Sequence, residues 1–333
     1  MLLRCFIAAL CLATMSAATC AKPAPKSVEE LRSSERSVEL VDAGEVGGGP
    51  GYSARLYRYE SGGLRVHALV ARPDSPPPEG GWPVLVANHG HHPEPKKYGI
   101  TADGVDHRPG DYYRRIPELF VARGYLVVMP DYRGHNTSEG YEFTEGLLES
   151  AYYTEDVLNL VAGLHSLDDI NLEQLFMWGH SMGGEVTLRA LLATQKVKAA
   201  ALWSSVGGDI WDQSYYYSRV SDPLAPDNSE TEKPAAAALR EHIAALDSDF
   251  DTRSVEPYRH LDYLTTPLII QHAINDQGAA YKWSEQLSKE LFIRDKPYEF
   301  WSFAGDQHLF SDADMAVAAD RDAAFFKRHS NQQ

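Results

Sequence analysis

Short apolar runs alternate with segments of helical pattern along most of this chain, and that alternation limits its fold more than any other feature. The apolar runs are short and carry few polar residues, as expected for strands that are buried on both faces. Strands that alternate with helices form parallel sheets with right-handed crossovers, so the pattern predicts an α/β fold. The predicted strands cover residues 84–87, 125–129, 175–178, 199–203, 268–271 and 298–303, and the predicted helices lie near 112–123, 149–166, 183–194, 280–292 and 312–328.

Two alternating stretches, at 54–59 and 64–70, precede this region and flank a Gly-Gly turn. They predict an antiparallel hairpin at the start of the sheet. The regular alternation breaks once, at about residues 207–262, where the chain is polar, acidic and rich in Tyr and Ala. A long irregular segment is usually functional in a compact domain, so we expect a small cap over the carboxyl ends of the strands. One domain over residues 53–333 accommodates these elements.

Residues 1–21 have the layout of a secretory signal peptide: one positive charge, an apolar run too short to span a bilayer, and small residues after it. A buried first helix is the structural alternative. All three cysteines of the chain lie in this segment, so the mature chain would have none, which suits a periplasmic or secreted protein. Lipid attachment at Cys20 is a further alternative. Residues 22–52, rich in Pro, Ser, Glu and Gly, predict a flexible linker.

The formal net charge of the chain is −16, and its Lys and Arg residues are scattered rather than gathered in a stripe. Such a surface repels phosphates and anionic lipid headgroups. We therefore expect no nucleic-acid partner, and no membrane insertion once the signal peptide is removed. The sequence leaves the oligomeric state open.

The segment Gly179-His180-Ser181-Met182-Gly183-Gly184 lies between a predicted strand and a predicted helix. A serine in a Gly-x-Ser-x-Gly pattern at such a junction is typical of a nucleophile elbow, a strained turn that exposes the hydroxyl group. Glycines are needed at 179 and 183 because the turn leaves no room for side chains there. The alternative is a glycine-rich turn whose serine takes no part in catalysis. We interpret Ser181 as the nucleophile.

An acyl-transfer serine needs two hydrogen-bond donors aimed at the developing oxyanion. The backbone N–H of Met182 is expected to be one of them. The second is expected in the loop after the strand at 84–87, and we assign it to the backbone N–H of His91. The histidines at 89, 91 and 92 also suggest a metal site, but no acidic or histidine ligand follows them at a helical spacing. We therefore expect no metal and no cofactor.

In α/β hydrolases the acid and the base follow the serine in chain order, on loops after late strands. Asp276 and His308 follow the last two predicted strands of this chain. We predict that neutral His308 accepts the proton of Ser181, and that Asp276 orients the imidazole and stabilises its cation. Two other histidines and one other carboxylate are rivals for these roles: His260, His272 and Asp306.

The span from about Pro83 to the end resembles the catalytic domain of the prolyl oligopeptidase (peptidase S9) family of α/β hydrolases, close to its dienelactone-hydrolase and acetyl-esterase relatives. The resemblance implies an α/β-hydrolase fold, with a mostly parallel central sheet flanked by helices, and a triad of Ser181, Asp276 and His308. The stretches that carry it are His89-Gly90, Pro130-Asp131-Tyr132-Arg133-Gly134, the serine motif at 179–184, and Asp276 and His308 with the segment 266–272 before the acid.

Aromatic residues in the predicted cap are candidates for substrate contact. Trp211 and Tyr215 could present flat faces to a sugar or to an aromatic acyl group. The alternative is that they only pack the cap onto the core, because the consecutive tyrosines at 215–217 cannot all face one pocket.

Oligopeptidases of the family that this chain resembles carry a β-propeller before the catalytic domain. The roughly 60 residues between the predicted signal and the sheet are too few for several four-stranded blades. We therefore expect an esterase that acts on a small or carbohydrate-linked ester. The same triad cleaves amides, so a peptidase acting on short peptides is the alternative. A non-catalytic binding protein on this fold would be expected to have lost a member of the triad.

Overall fold

The computed structural model describes residues 22–92, 95, 113, 115–144, 148–220, 241, 243–244 and 250–330. Within these residues nine strands form one sheet: β1 (Val41–Gly49), β2 (Tyr52–Ser61), β3 (Leu64–Pro73), β4 (Trp82–Asn88), β5 (Leu126–Asp131), β6 (Ile170–His180), β7 (Ala199–Trp203), β8 (Leu268–Ala273) and β9 (Tyr298–Phe303). Their spatial order is β1-β2-β3-β5-β4-β6-β7-β8-β9. In this spatial order the first four strands, β1, β2, β3 and β5, pair antiparallel with one another. All pairs from β5 and β4 onward to β8 and β9 are parallel. The predicted hairpin and mostly parallel sheet are confirmed.

Helices cover both faces of the sheet, which explains why the central strands are apolar on both sides. In β4, Val84 and Val86 belong to one core cluster and Leu85 and Ala87 to the other. Helices α1, α3, α4 and α6 pack on the first face, and α2 and α7 on the second. Their bounds are α1 (Val28–Ser33), α2 (Arg115–Val121), α3 (Glu149–Gly163), α4 (Met182–Ala193), α5 (Ile210–Val220), α6 (Tyr281–Ile293) and α7 (Asp312–His329).

The flexible linker predicted for residues 22–52 is wrong, because this segment contains α1 and β1. Val28 and Leu31 of α1 are fully buried against the core that includes α4. Ser27 and Glu30 form a capping box that satisfies the first N–H groups of the helix. The average composition of the segment gave no sign that Val28 and Leu31 lie on one face of a helix. Two such apolar side chains are enough for docking when the core supplies the partner surface.

The segment predicted as a cap lies between β7 and β8, and its described part holds α5. Two 3₁₀ helices follow before β8, at Thr252–Ser254 and Pro257–Tyr263. The segment is tied to α6 by the Lys282 Nζ group, which donates to Asp212 Oδ1 at 2.7 Å. The insertion thus lies beside the carboxyl ends of β7 and β8.

The predicted signal peptide, residues 1–21, lies outside the described residues. The described part of the chain begins at Lys22, six residues before α1. Among the described helices, none has the length and apolar character that crossing a bilayer requires.

Candidate active site

Ser181 lies in the turn that leads from β6 into α4. Its backbone has φ 56° and ψ −126°. A non-glycine residue rarely adopts a positive φ, and such strain costs of order 1–3 kcal/mol. The Ser181 N–H donates to the Trp203 carbonyl at 3.1 Å, and the Val206 N–H donates to the Ser181 carbonyl at 3.0 Å. These hydrogen bonds hold the strained turn against the end of β7.

The glycines on either side of the elbow are required by close approach of neighbouring atoms. A Cβ atom at Gly179 would lie 2.3 Å from the Gly183 carbonyl oxygen and from Thr187 Oγ1. A Cβ atom at Gly183 would lie 2.1 Å from the Asn88 carbonyl oxygen. Because glycine stands at 183, the start of α4 packs directly on the loop after β4, and the nucleophile lies beside that loop.

The structure brings Ser181, His308 and Asp276 together at the carboxyl ends of β6, β8 and β9. His308 Nδ1 lies 2.8 Å from Asp276 Oδ2 and 3.0 Å from Oδ1. Ser181 and His308 line the same cavity. Asp276 Oδ1 also accepts the backbone N–H groups of Gly278 and Ala279, at 2.7 and 3.1 Å. The carboxylate is therefore fixed in one orientation towards the imidazole.

Asp276 carries its negative charge in a buried position. Burial alone would raise its pKa, but hydrogen bonds from His272 and His308 hold the pKa of Asp276 well below its usual value. His272 Nε2 lies 3.3 Å from Asp276 Oδ2, and its Nδ1 lies 2.7 Å from Ser284 Oγ. His272, a rival base in the sequence, is fully buried behind the acid and contacts Asp276. The position of His272 within β8 did not predict this contact with the Asp276 carboxylate.

The other two rivals, His260 and Asp306, lie outside the cavity lining. His260 Nδ1 lies 3.2 Å from Glu29 Oε1, and its Nε2 lies 3.1 Å from the Arg253 carbonyl oxygen. Asp306 is exposed on the loop before His308. Neither residue lines the cavity that holds Ser181.

Both predicted oxyanion donors line the cavity. Met182 is the first residue of α4, where N–H groups have no intrahelical acceptor and the helix dipole favours negative charge. His91 lies in the loop after β4, and its Nδ1 is 2.7 Å from Glu149 Oε1 at the start of α3. That hydrogen bond raises the pKa of His91. The contact fastens the loop of the second donor to α3.

Buried hydrogen bonds that the sequence did not predict connect the loop after β4 with the loop of His308. The Gly90 N–H donates to Tyr113 Oη at 2.7 Å, and Tyr113 Oη lies 2.6 Å from His180 Nδ1. His180 Nε2 lies 2.9 Å from the His308 carbonyl oxygen. Burial, with His308 alongside, keeps the pKa of His180 well below its ordinary value, so the ring is neutral. The His308 carbonyl oxygen can only accept, so the neutral ring donates from Nε2 and accepts at Nδ1 from the Tyr113 hydroxyl. His180 therefore positions the loop of His308.

The histidines after β4 have packing and positioning contacts. The His89 ring lies 4.4 Å from the Tyr132 ring and 5.7 Å from the His92 ring, whereas His91 binds Glu149. In the part of the chain that the structure describes, no group of three His, Cys, Asp or Glu side chains is placed to hold a metal ion.

The cavity beside Ser181 has a volume of about 380 Å³. Met182 and Val206 give it an apolar side, and most of the other lining residues are polar. It therefore suits a ligand with both apolar and hydrogen-bonding parts. The other lining residues are His91, Glu149, Ser150, Glu185, Gln213, Tyr217, Gly278 and His308.

Trp211 and Tyr215, predicted as substrate contacts, do not line this cavity and are 38% and 51% exposed. The same helix, α5, presents Gln213 and Tyr217 to the cavity instead. Positions two residues apart differ by about 200° around a helix, so one pair faces away when the other faces the site. The sequence prediction took the wrong face of α5.

The fold and this site define a serine hydrolase with the α/β-hydrolase fold. A model of the prolyl oligopeptidase family matches residues 112–333, more than half of the chain, and the chain belongs to that family. The matched span contains the elbow serine and the last two strands with the loops that follow them. The resemblance read from the sequence is confirmed.

Individual relatives include both peptidases and esterases. The chain is 25% identical over 265 residues to the "Uncharacterized peptidase YtmA" of Bacillus subtilis (strain 168), a match that covers 78% of this chain and 89% of that protein. An acylaminoacyl peptidase in complex with Z-Gly-Gly-Phe-chloromethyl ketone has a TM-score of 0.63 at 20% identity, over 85% of this chain and 42% of its own. The acetyl xylan esterase of Paenibacillus sp. R4 has a TM-score of 0.64 at 14% identity, and the match covers 91% of this chain and 92% of that one. This chain thus spans less than half of the acylaminoacyl peptidase, and these structural likenesses show a shared fold.

Proposed function

We propose that this chain is an esterase that cleaves a carboxylic ester of a small or carbohydrate-linked molecule through an acyl-enzyme on Ser181. The observation that carries the proposal is that Ser181, His308 and both candidate oxyanion residues line one cavity. Asp276 Oδ2 lies 2.8 Å from His308 Nδ1 behind them. A nucleophile, a base, an orienting acid and oxyanion donors are the groups that acyl transfer needs.

In the proposed reaction His308 Nε2 accepts the proton of the Ser181 hydroxyl as the oxygen attacks the ester carbonyl. The N–H groups of Met182 and His91 hydrogen-bond to the oxyanion that develops. The His308 imidazolium then protonates the departing alcohol, which leaves an acyl ester on Ser181. Water, deprotonated by the same ring, hydrolyses that ester and restores the serine. Asp276 keeps a proton on Nδ1 and stabilises the cation throughout.

Two observations support an ester rather than an amide as substrate. The likeness to the acetyl xylan esterase extends over 91% of this chain and 92% of that one, whereas 42% of the acylaminoacyl peptidase is covered. A cavity of about 380 Å³ also has room for a short acyl group or a single sugar unit.

A peptidase is the second candidate. The family of the chain and the printed name of its Bacillus subtilis relative favour it. The same groups would act in the same order, with His308 protonating a departing amine instead of an alcohol.

The test compares p-nitrophenyl acetate and butyrate with Xaa-Pro and Ala p-nitroanilides, on wild type and on Ser181→Ala. We expect fast ester cleavage, little anilide cleavage, and a loss of about 10⁴ or more in the variant. Ser150→Ala is a matched control, because Ser150 is another hydroxyl that lines the cavity, and it is expected to lose less than about tenfold. Preferred anilide cleavage would favour the peptidase, and full activity of Ser181→Ala would contradict both candidates.

We also propose that residues 1–21 direct export to the periplasm or the medium and are then removed. Their charge and apolar pattern supports this proposal. Amino-terminal sequencing of protein from the periplasmic fraction should find a chain that begins near Lys22. A lipid on Cys20, detected by labelling with radioactive palmitate, would replace the soluble form with an anchored one.

A further inference from the structure

Glu185 is a carboxylate of the cavity that the proposed reaction does not use. It lies four residues after Ser181 in the first turn of α4, and both residues line the same cavity. Glu185 is 6% exposed and lines the cavity. A buried carboxylate next to a nucleophile needs partners, and the partners of this one show what it can bind.

One oxygen of Glu185 is fully engaged by the protein. Its Oε1 accepts from Arg189 Nη2 at 3.2 Å and from Gln213 Nε2 at 3.0 Å. Arg189, itself 2% exposed, donates from Nε to the Val255 carbonyl at 2.6 Å and from Nη1 towards Ser150 Oγ at 3.4 Å. The arginine therefore fixes the carboxylate and compensates its charge.

The other oxygen, Oε2, accepts no hydrogen bond from any residue in the described part of the chain. A carboxylate can only accept hydrogen bonds, so a ligand that excludes water from Oε2 has to bring a donor. Because Arg189 already balances the negative charge, a neutral hydroxyl group suffices as that donor. A substrate without a donor would leave a buried carboxylate oxygen unpaired.

We propose that Glu185 is a specificity-determining residue that accepts a hydrogen bond from a substrate hydroxyl group, so that the site selects esters of polyhydroxylated alcohols such as sugars. The inference rests on the proposed esterase function and deepens it. The lining of the cavity agrees with such a substrate, because Met182 and Val206 can contact the apolar face of a sugar ring while Gln213 and Tyr217 line the same cavity.

The test measures kcat/KM for a mono-O-acetylated methyl xyloside and for analogues in which each remaining hydroxyl is replaced in turn by hydrogen. In wild type, loss of the recognised hydroxyl should lower kcat/KM by about 10- to 100-fold. The measured ratio is kcat/KM of the hydroxyl compound divided by kcat/KM of its deoxy analogue. In Glu185→Gln, which keeps the size of the side chain, this ratio should fall below about threefold, because a hydrogen bond to a neutral amide is weaker. The expectation holds whatever the absolute rates are. Glu149→Gln alters the other carboxylate of the cavity, which binds His91, and should keep the wild-type ratio.

A wild-type enzyme that cleaves all of these esters at similar rates would overturn the role of Glu185 and leave the esterase proposal standing. An unchanged ratio in Glu185→Gln would do the same. Failure of wild type to cleave any of these esters or p-nitrophenyl acetate would overturn both proposals. Faster cleavage of an amino analogue than of the hydroxyl compound would overturn the assignment of a neutral donor.

Discussion

Replacement of Asp276 by asparagine is expected to abolish the base function of His308 without removing a side chain. Asp276 Oδ1 accepts the backbone N–H groups of Gly278 and Ala279, whereas Oδ2 faces the imidazoles of His272 and His308. An asparagine amide has one accepting end and one donating end. Its oxygen should therefore take the side of the two backbone donors, and its NH₂ group should face His308.

This orientation reverses the tautomer of the base. The NH₂ group donates to His308 Nδ1, which has to be unprotonated, and the proton of the neutral ring moves to Nε2. A protonated Nε2 cannot accept the proton of Ser181. Loss of the tautomer and of the carboxylate charge costs about 10⁴ in kcat in Ser-His-Asp enzymes, which corresponds to about 5.5 kcal/mol of transition-state stabilisation.

The assay is kcat/KM for p-nitrophenyl acetate in wild type, Asp276→Asn and Asp306→Asn. Asp306 is exposed on the loop of His308 and does not line the cavity, so its variant is a matched control and should stay within about twofold of wild type. Circular dichroism and unfolding midpoints verify that each variant folds. The proposed role of Asp276 would be contradicted if Asp276→Asn kept more than about a tenth of the activity, or if Asp306→Asn lost as much as Asp276→Asn.

Two further predictions concern stability. Because Leu31 is fully buried, Leu31→Ala should lower the free energy of unfolding by about 2–5 kcal/mol in guanidinium titrations. The control is Leu172→Ala, whose side chain is exposed and which should lose about 0.5 kcal/mol or less. Equal small losses in the two variants would mean that α1 does not dock. Glu149 raises the pKa of His91, so their pair stabilises the fold fully below the ordinary histidine pKa, and the contribution is lost as the pH rises through the folded pKa. Glu149→Gln should therefore be less stable than wild type by up to about 1 kcal/mol near pH 5.5. That difference should shrink in urea titrations at higher pH, and one independent of pH would contradict the pairing.

The parts of the fold that the sequence predicted are those where local pattern and burial agree. In β4 the apolar run coincides with a strand that is buried on both faces, and β2 and β3 pair antiparallel as the predicted hairpin. The order of Ser181, Asp276 and His308 along the chain also predicted their meeting point, because the carboxyl ends of parallel strands lie at one edge of a sheet.

The parts that the sequence did not predict depend on contacts between distant segments. The docking of α1 depends on apolar surface supplied by α4, although its capping box at Ser27 and Glu30 was visible as a local signal. Likewise, the hydrogen bond between Tyr113 and His180 joins residues 67 positions apart, and no sequence motif predicts that these two residues meet. The face of α5 that lines the cavity was equally hidden, because it depends on how the insertion packs.

The most direct test of Ser181 as the nucleophile is to identify the residue that a fluorophosphonate probe modifies, by mass spectrometry of tryptic peptides. Ser181 is expected to carry the only adduct, and prior incubation with p-nitrophenyl acetate should slow its formation. The neighbouring Ser204 and Ser205 are buried at the end of β7 and give an internal comparison within the same protein. An adduct on Ser181 that disappears in His308→Ala is the predicted result, whereas an unmodified Ser181, or an adduct on another serine, would contradict its assignment as the nucleophile.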